Sequence, residues 1–481
     1  MSLRGDVLHS LKWLAGARFA GQLVAWAITL VVIRILKPSD YGLMAISEAI
    51  VGFAALFREM GLYSAMVQKR DLTASQVEQS FGLLILVNCV IYAVVFATAP
   101  LLADYFGDPR LTPMVRVMGI QFPLAAVGVV QDAMLSRQMK FKPKSFVNLA
   151  ASLSNGFTTL PLALLGAGVW ALVFGNVAGS VIRAVGLVMA ARYWCWPRFS
   201  RKGMGDMLRF GGFVTASKLC WYVYSHADVF IIGKVLGSKL LGFYSIAMQL
   251  ASLPMQKVAE LLGQVGYAAY ASIQHDMDVL RSNFLKAVRV LGVVSFPVFW
   301  GIVSIAPELV SVVLGEKWQR AVVPIELLGL IMPLRMIGQA EASVLAAIGK
   351  PHLSTLYQFV ALLLMPPAFF LGAYFGGLDG AALAWVAVYP ILMLIRLRIG
   401  LPSLGVTFRQ YFSAIAMPAA AGALMLLAVI AARTTIAESS LAPIPGLIFL
   451  ITVGTVVYSG FIWLVDREKC LEIIDLVMPQ R

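Results

Sequence analysis

Three observations predict an all-α, polytopic membrane protein of about fourteen transmembrane helices, arranged as two pseudo-symmetric six-helix lobes plus two C-terminal helices. The composition lies outside the soluble range, apolar runs recur along the whole chain, and an internal repeat relates one half to the next. Hydrophobic residues make up 60% of the 481 and charged residues 13%, where soluble domains carry about 25% charged residues. Mean hydropathy is +0.84.

A helix rises 1.5 Å per residue, so about 20 apolar residues cross a ~30 Å hydrocarbon core. The first run, 12–36, follows a short basic start (Arg4, Lys12) and continues too far, without a small-residue cleavage site, to be a removed signal peptide. Runs at 42–67, 79–102, 114–136, 145–166 and 168–191 complete a first set of six. The connection 192–209, RYWCWPRFSRKGMGDMLR, mixes Trp194, Trp196 and Phe199 with basic residues, which suits a segment lying along the inner membrane surface between the halves. A second set follows at 207–233, 240–269, 284–306, 322–348, 352–376 and 379–400, and runs 410–432 and 444–465 form an appendix. The expected division is 1–200 and 201–400 for the lobes and 401–481 for the two extra helices and a tail.

The repeat is centred on Ile33–Ile46, IRILKPSDYGLMAI, and Gly233–Ile246, GKVLGSKLLGFYSI. At an offset of 200, Leu36, Gly42 and Ile46 meet Leu236, Gly242 and Ile246, and Arg34 meets Lys234. Each stretch reads as the turn joining the first two helices of a half, with Gly or Pro punctuation and a basic residue at the membrane edge. At an offset of 210, Gly119, Pro123 and Leu124 meet Gly329, Pro333 and Leu334, and Gln131 meets Glu341. Six spans per half give both halves the same orientation, related by an axis along the membrane normal.

The formal net charge of +14 does not require a nucleic-acid partner. With the N-terminus inside, inner loops hold most of the Lys and Arg, including Arg137, Lys140, Lys142 and Lys144 in one loop and Arg192, Arg198, Arg201, Lys202 and Arg209 in another. Outer loops hold only Arg34, Lys37, Arg110, Lys234, Lys239, Lys317, Arg320 and Arg433. That bias places both termini in the cytoplasm.

Within the predicted spans fall Arg18, Arg58, Arg116, Arg183, Lys218, Lys257, Arg289 and Arg335, and the acids Glu48, Glu59, Asp132, Asp228, Glu260, Glu326 and Glu341. Half of these facing lipid at ~2.5–3.5 kcal/mol each would cost on the order of 20 kcal/mol, so they must line a hydrated interior or pair with each other. Helical spacing places Glu48, Gly52, Ala55 and Glu59 on one face, Lys218, Trp221, Ser225 and Asp228 on another, and Gln249, Gln256, Glu260 and Gln264 on a third. Such stripes either glue helices together or line a cavity. Arg18 and Lys218, equivalent in the repeat, are candidates for binding phosphate or acidic sugar, with Arg335 and Gln256 as further cavity residues; ion pairs such as Arg18 with Glu48 are the other reading. Asp228, with Glu48, Glu341 and Glu260, is a candidate for coupling an ion to movement, or equally a static pair with Lys218 or Lys234. Arg58, Glu59, Arg116 and Glu326 read as snorkelling helix-end residues, and His226 as either a hydrogen-bonded core residue or a proton carrier.

Reaction chemistry is missing from the sequence. There is no GxxxxGK[ST], CxxC or HExxH, and the scattered Cys89, Cys195, Cys220 and Cys470 suggest neither a disulfide framework nor a metal site. No cofactor or metal is expected.

The stretches RILKPSDYGLMAI, SRQMKFKPKSF, LLGAGVWALVFGNVAG and HADVFIIGKVLGSKLLGFYSIA resemble the polysaccharide-transporter branch of the multidrug/oligosaccharidyl-lipid/polysaccharide exporter superfamily, the Wzx-type flippases and exopolysaccharide exporters. The resemblance covers almost the full chain. It implies two six-helix lobes around a cationic cavity, alternating access, and transfer of polyprenyl-diphosphate-linked oligosaccharide repeat units across the bacterial cytoplasmic membrane for exopolysaccharide, capsule or lipopolysaccharide O-antigen synthesis. It implies a transporter and not an enzyme, with the polymerase and chain-length regulator of the same pathway as further partners, and it leaves open whether an ion gradient drives the step. A membrane-embedded polymerase, ligase or acyltransferase, and a small-molecule exporter of the same superfamily, are the alternatives; the short outer loops and the four His residues favour neither enzyme.

Overall fold

Inside a bilayer every backbone N–H and C=O needs a partner from its own segment, a need that helices meet. The structure, a computed structural model, describes residues 21–59, 61–69, 71–199, 205–261, 266–437 and 443–465, and the described residues contain helices and no strand. They fall into two compact units, Met1–Gly242 and Phe243–Arg481. The first holds α1 (Gly21–Ile35), α2 (Pro38–Ala55), α3 (Leu62–Gln68), α4 (Ala74–Phe106), α5 (Leu111–Gly119) running into α6 (Gln121–Arg137), α7 (Phe141–Leu164), α8 (Val169–Ala191) and most of α9 (Gly205–Leu261). The second holds the end of α9, then α10 (Tyr267–Ser272), α11 (Met277–Ser304), α12 (Ala306–Leu309), α13 (Val322–Ala347), α14 (Pro351–Leu404), α15 (Phe408–Ala437) and α16 (Pro443–Val465).

Among the described residues nine helices are long and apolar enough to cross a membrane. Two of them are runs of two predicted spans. The 54 residues of α14 would measure ~80 Å if straight, far more than a bilayer. Gly377 (φ 60°, ψ −139°) interrupts that helix, and Gly237 (φ 79°, ψ 173°) interrupts α9; these positive-φ breaks separate the predicted pairs 352–376/379–400 and 207–233/240–269. The predicted span 42–67 departs from a single helix in the opposite sense: α2 stops at Ala55 and α3 restarts after Gly61, whose φ of 66° no continuous helix allows. At 24 residues α7 is long enough to span but is not among the nine, because polar Asn148, Ser152, Ser154, Asn155, Thr158 and Thr159 lower its hydropathy.

Caps set the other boundaries. Pro38 opens α2 at a position where its missing N–H costs nothing, and the Lys37 N–H donates to Asp40 Oδ2 at 3.0 Å. Thr73 and Gln76 cap α4 reciprocally, and Gly107 ends it in the left-handed region. The end of α6 at Met139 (φ 54°) and that of α13 at Gly349 (φ 75°) have the same wiring, with the Lys140 N–H bonded to Leu135 O and the Lys350 N–H to Leu345 O, each at 2.8 Å. Between α7 and α8, Gly168 (φ 57°, ψ −135°) adopts nearly the conformation of Gly377.

Packing in the first unit brings α3, α4 and α6 together around Met66, Phe81, Leu84 and Val130. Gly175 and Gly179 on α8, a GxxxG pair, let α7 approach until Thr159, Ala151 and Asn155 occupy the space a Cβ would fill. The two copies of the repeated turn also touch within this unit. Gly42 lies against the Ser238 backbone and Gly242 against the Pro38 backbone, so a Cβ at either would overlap a carbonyl oxygen. After α8 the chain is extended: Tyr193 and Cys195 turn inward, Trp194 and Trp196 are 53% and 76% exposed, and the Arg198 N–H donates to Glu78 O at 3.0 Å. Burial pushes the Cys195 thiol up from its ordinary range, which marks it as an inert core group.

In the second unit α11 packs against both α13 and α15, and α16 packs on α15 through Met425, Val429 and Leu450. The span of α13 is 67% buried and that of α16 22%, so α13 is the centre of the unit and α16 its lipid-facing margin.

Candidate functional site

The first unit contains a polar cavity of about 390 Å³ between α1, α7 and α8. Gln22, Ala25, Trp26 and Thr29 on α1 and Asn176, Gly179, Ser180 and Arg183 on α8 each recur at i, i+3, i+4, i+7, so each set is one helix face, and α7 adds Ser152 and Asn155. Hydroxyls here bond along their own helices, Thr29 to Ala25 O at 2.9 Å and Ser180 to Asn176 O at 2.9 Å.

Ser180 and Arg183 also line a second cavity of about 110 Å³ with Arg58, Glu59, Gln121 and Asp132. Asp132 is its buried acid, 8% exposed, placed 2.6 Å from Lys144 Nζ and 3.5 Å from the Arg183 guanidinium. Lys144 in turn donates to Tyr63 Oη and Ser136 Oγ, both at 3.1 Å. One carboxylate therefore faces two cations, and Arg183, whose side chain is 45% exposed, presents its guanidinium where both cavities meet. A planar guanidinium on the wall of a wet cavity is suited to bidentate binding of phosphate oxygens.

In the second unit Glu341, 1% exposed, lies 3.0 Å from Arg396 Nε. The pair fits because Gly338 and Gly400 leave the room: a Cβ on Gly338 would press on the Arg396 guanidinium, and one on Gly400 would overlap the Glu341 carboxylate. Arg396 also donates to Gly338 O and sits 5.2 Å from the Tyr357 ring centroid. Arg335 stacks on Trp385 at 4.3 Å, and the Trp385 indole donates to Tyr244 Oη at 2.8 Å.

Of the residues the sequence singles out, Arg18 lies outside the described residues, as do the side chains of Lys218, Gln256 and Glu260, whose backbones are in α9. Asp228, 3% exposed, accepts the Val229 N–H at 2.8 Å. Trp221, two helical turns earlier on the predicted face, is 49% exposed, so that face does not have one environment. Lys234 donates to Tyr105 O on α4 and lies over the Tyr105 ring. Glu48 is exposed on α2 beside the Asn176 amide. Glu59 falls beyond the end of α2, bonded to Arg58 at 3.2 Å, which breaks the predicted Glu48–Glu59 stripe and fits the helix-end reading of both residues. His226 stacks on Tyr222 at 3.9 Å with Nδ1 near Ser225 and Tyr222 O, the geometry of a hydrogen-bonded core residue.

Sequence reasoning misses two things here. The amides of α1, α7 and α8 carry no charge and escape a search for in-span charges, although their i, i+3, i+4, i+7 spacing is legible. Arg396 sits within the predicted span 379–400 and belongs with the in-span bases.

Membrane-spanning helices around a polar, cation-bearing cavity are the architecture of a multi-pass transporter. The chain belongs to the family described as polysaccharide biosynthesis protein, which residues 31–323 match. It is 25% identical to the lipopolysaccharide biosynthesis protein WzxC of Escherichia coli (strain K12), over 87% of this chain and 86% of the relative. It is 28% identical to the teichuronic acid biosynthesis protein TuaB of Bacillus subtilis (strain 168), over 72% of each. In fold it is similar to the lipid II flippase MurJ in an inward closed conformation, with a TM-score of 0.75 and 12% identity over 94% of this chain and 99% of that one.

Proposed function

We propose that the protein is a flippase, not an enzyme, that moves polyprenyl-diphosphate-linked oligosaccharide repeat units across the bacterial cytoplasmic membrane for surface polysaccharide synthesis. The observation that carries this reading is the amide- and arginine-lined cavity between α1, α7 and α8, placed within helices whose outer faces are apolar. A diphosphate and its sugar hydroxyls cannot cross ~30 Å of hydrocarbon unaided, so a wet cavity must carry the head while the tail stays in lipid. Arg183 supplies the cation for the head in this cavity, and we assign substrate binding also to Arg18 and Lys218 in the first unit and, separately, to Arg335 and Gln256 in the second. The family and the named relatives, which act in lipopolysaccharide and teichuronic acid synthesis, support the substrate class. Deleting the gene should stop surface polysaccharide while lipid-linked repeat units build up on the cytoplasmic leaflet. Unchanged polysaccharide, or units already reachable at the outer face, would overturn the proposal.

We further propose transport by alternating access in a chain of two pseudo-equivalent halves, 1–200 and 201–400, with 401–481 as an addition and both termini cytoplasmic. Reporter fusions after Lys202 should read cytoplasmic and those after Arg320 external; the reverse at both positions contradicts the orientation. We assign coupling of an ion gradient to the in-span carboxylates Asp228, Glu48, Glu260 and Glu341, with Asp228 first because it is buried in the arm of α9 that precedes the break at Gly237. Asp228→Asn keeps the shape and removes the charge, so transport into vesicles should stop responding to an imposed proton or sodium gradient. An intact response in that variant removes Asp228 from the coupling role.

A further inference from the structure

We propose that the cavity between α1, α7 and α8 is a sugar-recognition pocket, holding the first sugar of the repeat unit while Arg183 at its end takes the diphosphate. The proposal rests on the flippase reading and adds where, and by what chemistry, the glycan is held.

The lining selects the occupant. At about 390 Å³ the cavity falls in the ~300–1,000 Å³ range of small-molecule sites. Its walls carry three neutral amides, Gln22, Asn155 and Asn176, one indole, Trp26, and one cation, Arg183. A sugar ring needs this combination. Each hydroxyl both donates and accepts, and an amide side chain is the uncharged group that does both. The C–H face of the ring is apolar and lies flat on an indole face, while its rim stays polar. A polyprenyl tail would set hydrocarbon against this polar lining, a costly burial even though Asn155 Oδ1 accepts from the Thr159 hydroxyl at 3.2 Å and Asn176 bonds Glu48. A bound inorganic anion would use Arg183 and leave the opposite wall, Gln22 and Trp26, without a task. Glu48 on α2 bonds the Asn176 side chain, which holds that amide in place.

The geometry fixes the order of the two subsites. Arg183 and Ser180 border both cavities, and the smaller one leads from there to Arg58, Asp132 and Lys144. A head group lying across Arg183 thus has the charged side chains Arg58, Glu59, Asp132 and Lys144 on one side, where the cations are paired with the two acids, and neutral, sugar-compatible walls on the other. The Thr29 and Ser180 hydroxyls on this wall donate to Ala25 O and Asn176 O of their own helices, each at 2.9 Å, which leaves the amides and Arg183 as its longer-reaching polar groups.

The test compares two lipids on the full-length purified protein: undecaprenyl diphosphate alone, and the lipid-linked repeat unit extracted from cells lacking the gene. Gln22→Leu/Asn176→Leu and, separately, Trp26→Leu should weaken the glycosylated lipid about tenfold or more, which corresponds to ~1.4 kcal/mol, and shift the bare lipid less than twofold. Arg183→Gln should weaken both. Melting curves that match the parent protein show that the variants fold, and Trp26, 40% exposed, is the substitution least able to disturb packing. Equal shifts for both lipids, or no shift in either, overturn the sugar pocket and leave the flippase reading standing. A parent protein that binds neither lipid overturns the flippase reading itself.

Discussion

Glu341→Ala and Arg396→Ala are each expected to cost about 3–5 kcal/mol of stability, because each leaves the other charge buried without its partner. Glu341 is 1% exposed and the Arg396 side chain 14%, too deep for water to replace the lost contact. Gly338 and Gly400 shape the site around both side chains, so a smaller residue leaves a void as well as a charge. The double variant Glu341→Leu/Arg396→Met should regain most of the loss, since well-packed apolar residues replace a buried pair at little net cost. Thermal melting of purified protein in one detergent measures all four members of the cycle. A double variant no more stable than the worse single one would mean that the two residues act separately and not as a pair.

Gly42→Ala and Gly242→Ala are expected to be nearly as damaging. Overpacking usually costs ~1–3 kcal/mol, and more where the obstruction cannot move. Here the obstruction is backbone on both sides, the Ser238 carbonyl against Gly42 and the Pro38 carbonyl against Gly242. Neither carbonyl can rotate away as a flexible side chain would, so the helix ends must separate. Gly460→Ala on α16 is the control, a helical glycine with nothing within 4 Å. Alanine is better than glycine in a helix by ~0.5–1 kcal/mol, so this variant should be neutral or slightly more stable. Folded yield and melting temperature separate the three. Parental values for Gly42→Ala would show that the turns do not pack at this distance in the membrane.

The spans were readable in the chain because lipid leaves so few choices. A run of about 20 apolar residues must be helical when its backbone has no other hydrogen-bond partner, and the breaks fall at residues that announce themselves, such as Gly237 and Gly377. Gly42 and Gly242 could be matched as repeat positions from sequence alone. That each rests on the other copy's turn could not, since contact between residues 200 apart depends on how helices pack. The same limit governed the charges. Energetics demanded that Asp132 and Glu341 find partners, but whether Asp132 would meet Lys144 and Arg183, and Glu341 would meet Arg396, was set by the rotation of each helix about its axis. A span pattern constrains that rotation weakly, because lipid-facing and core-facing sides are both apolar. The end of α2 at Ala55, ahead of the restart at Gly61, removed Glu59 from the face that spacing gave it, a local event that apolar composition does not register. The cavity itself arose from neutral amides on three helices. Each amide is unremarkable in its own span, and only the close approach of α7 to α8 at Gly175 and Gly179, with α1 laid beside them, turns them into one wall.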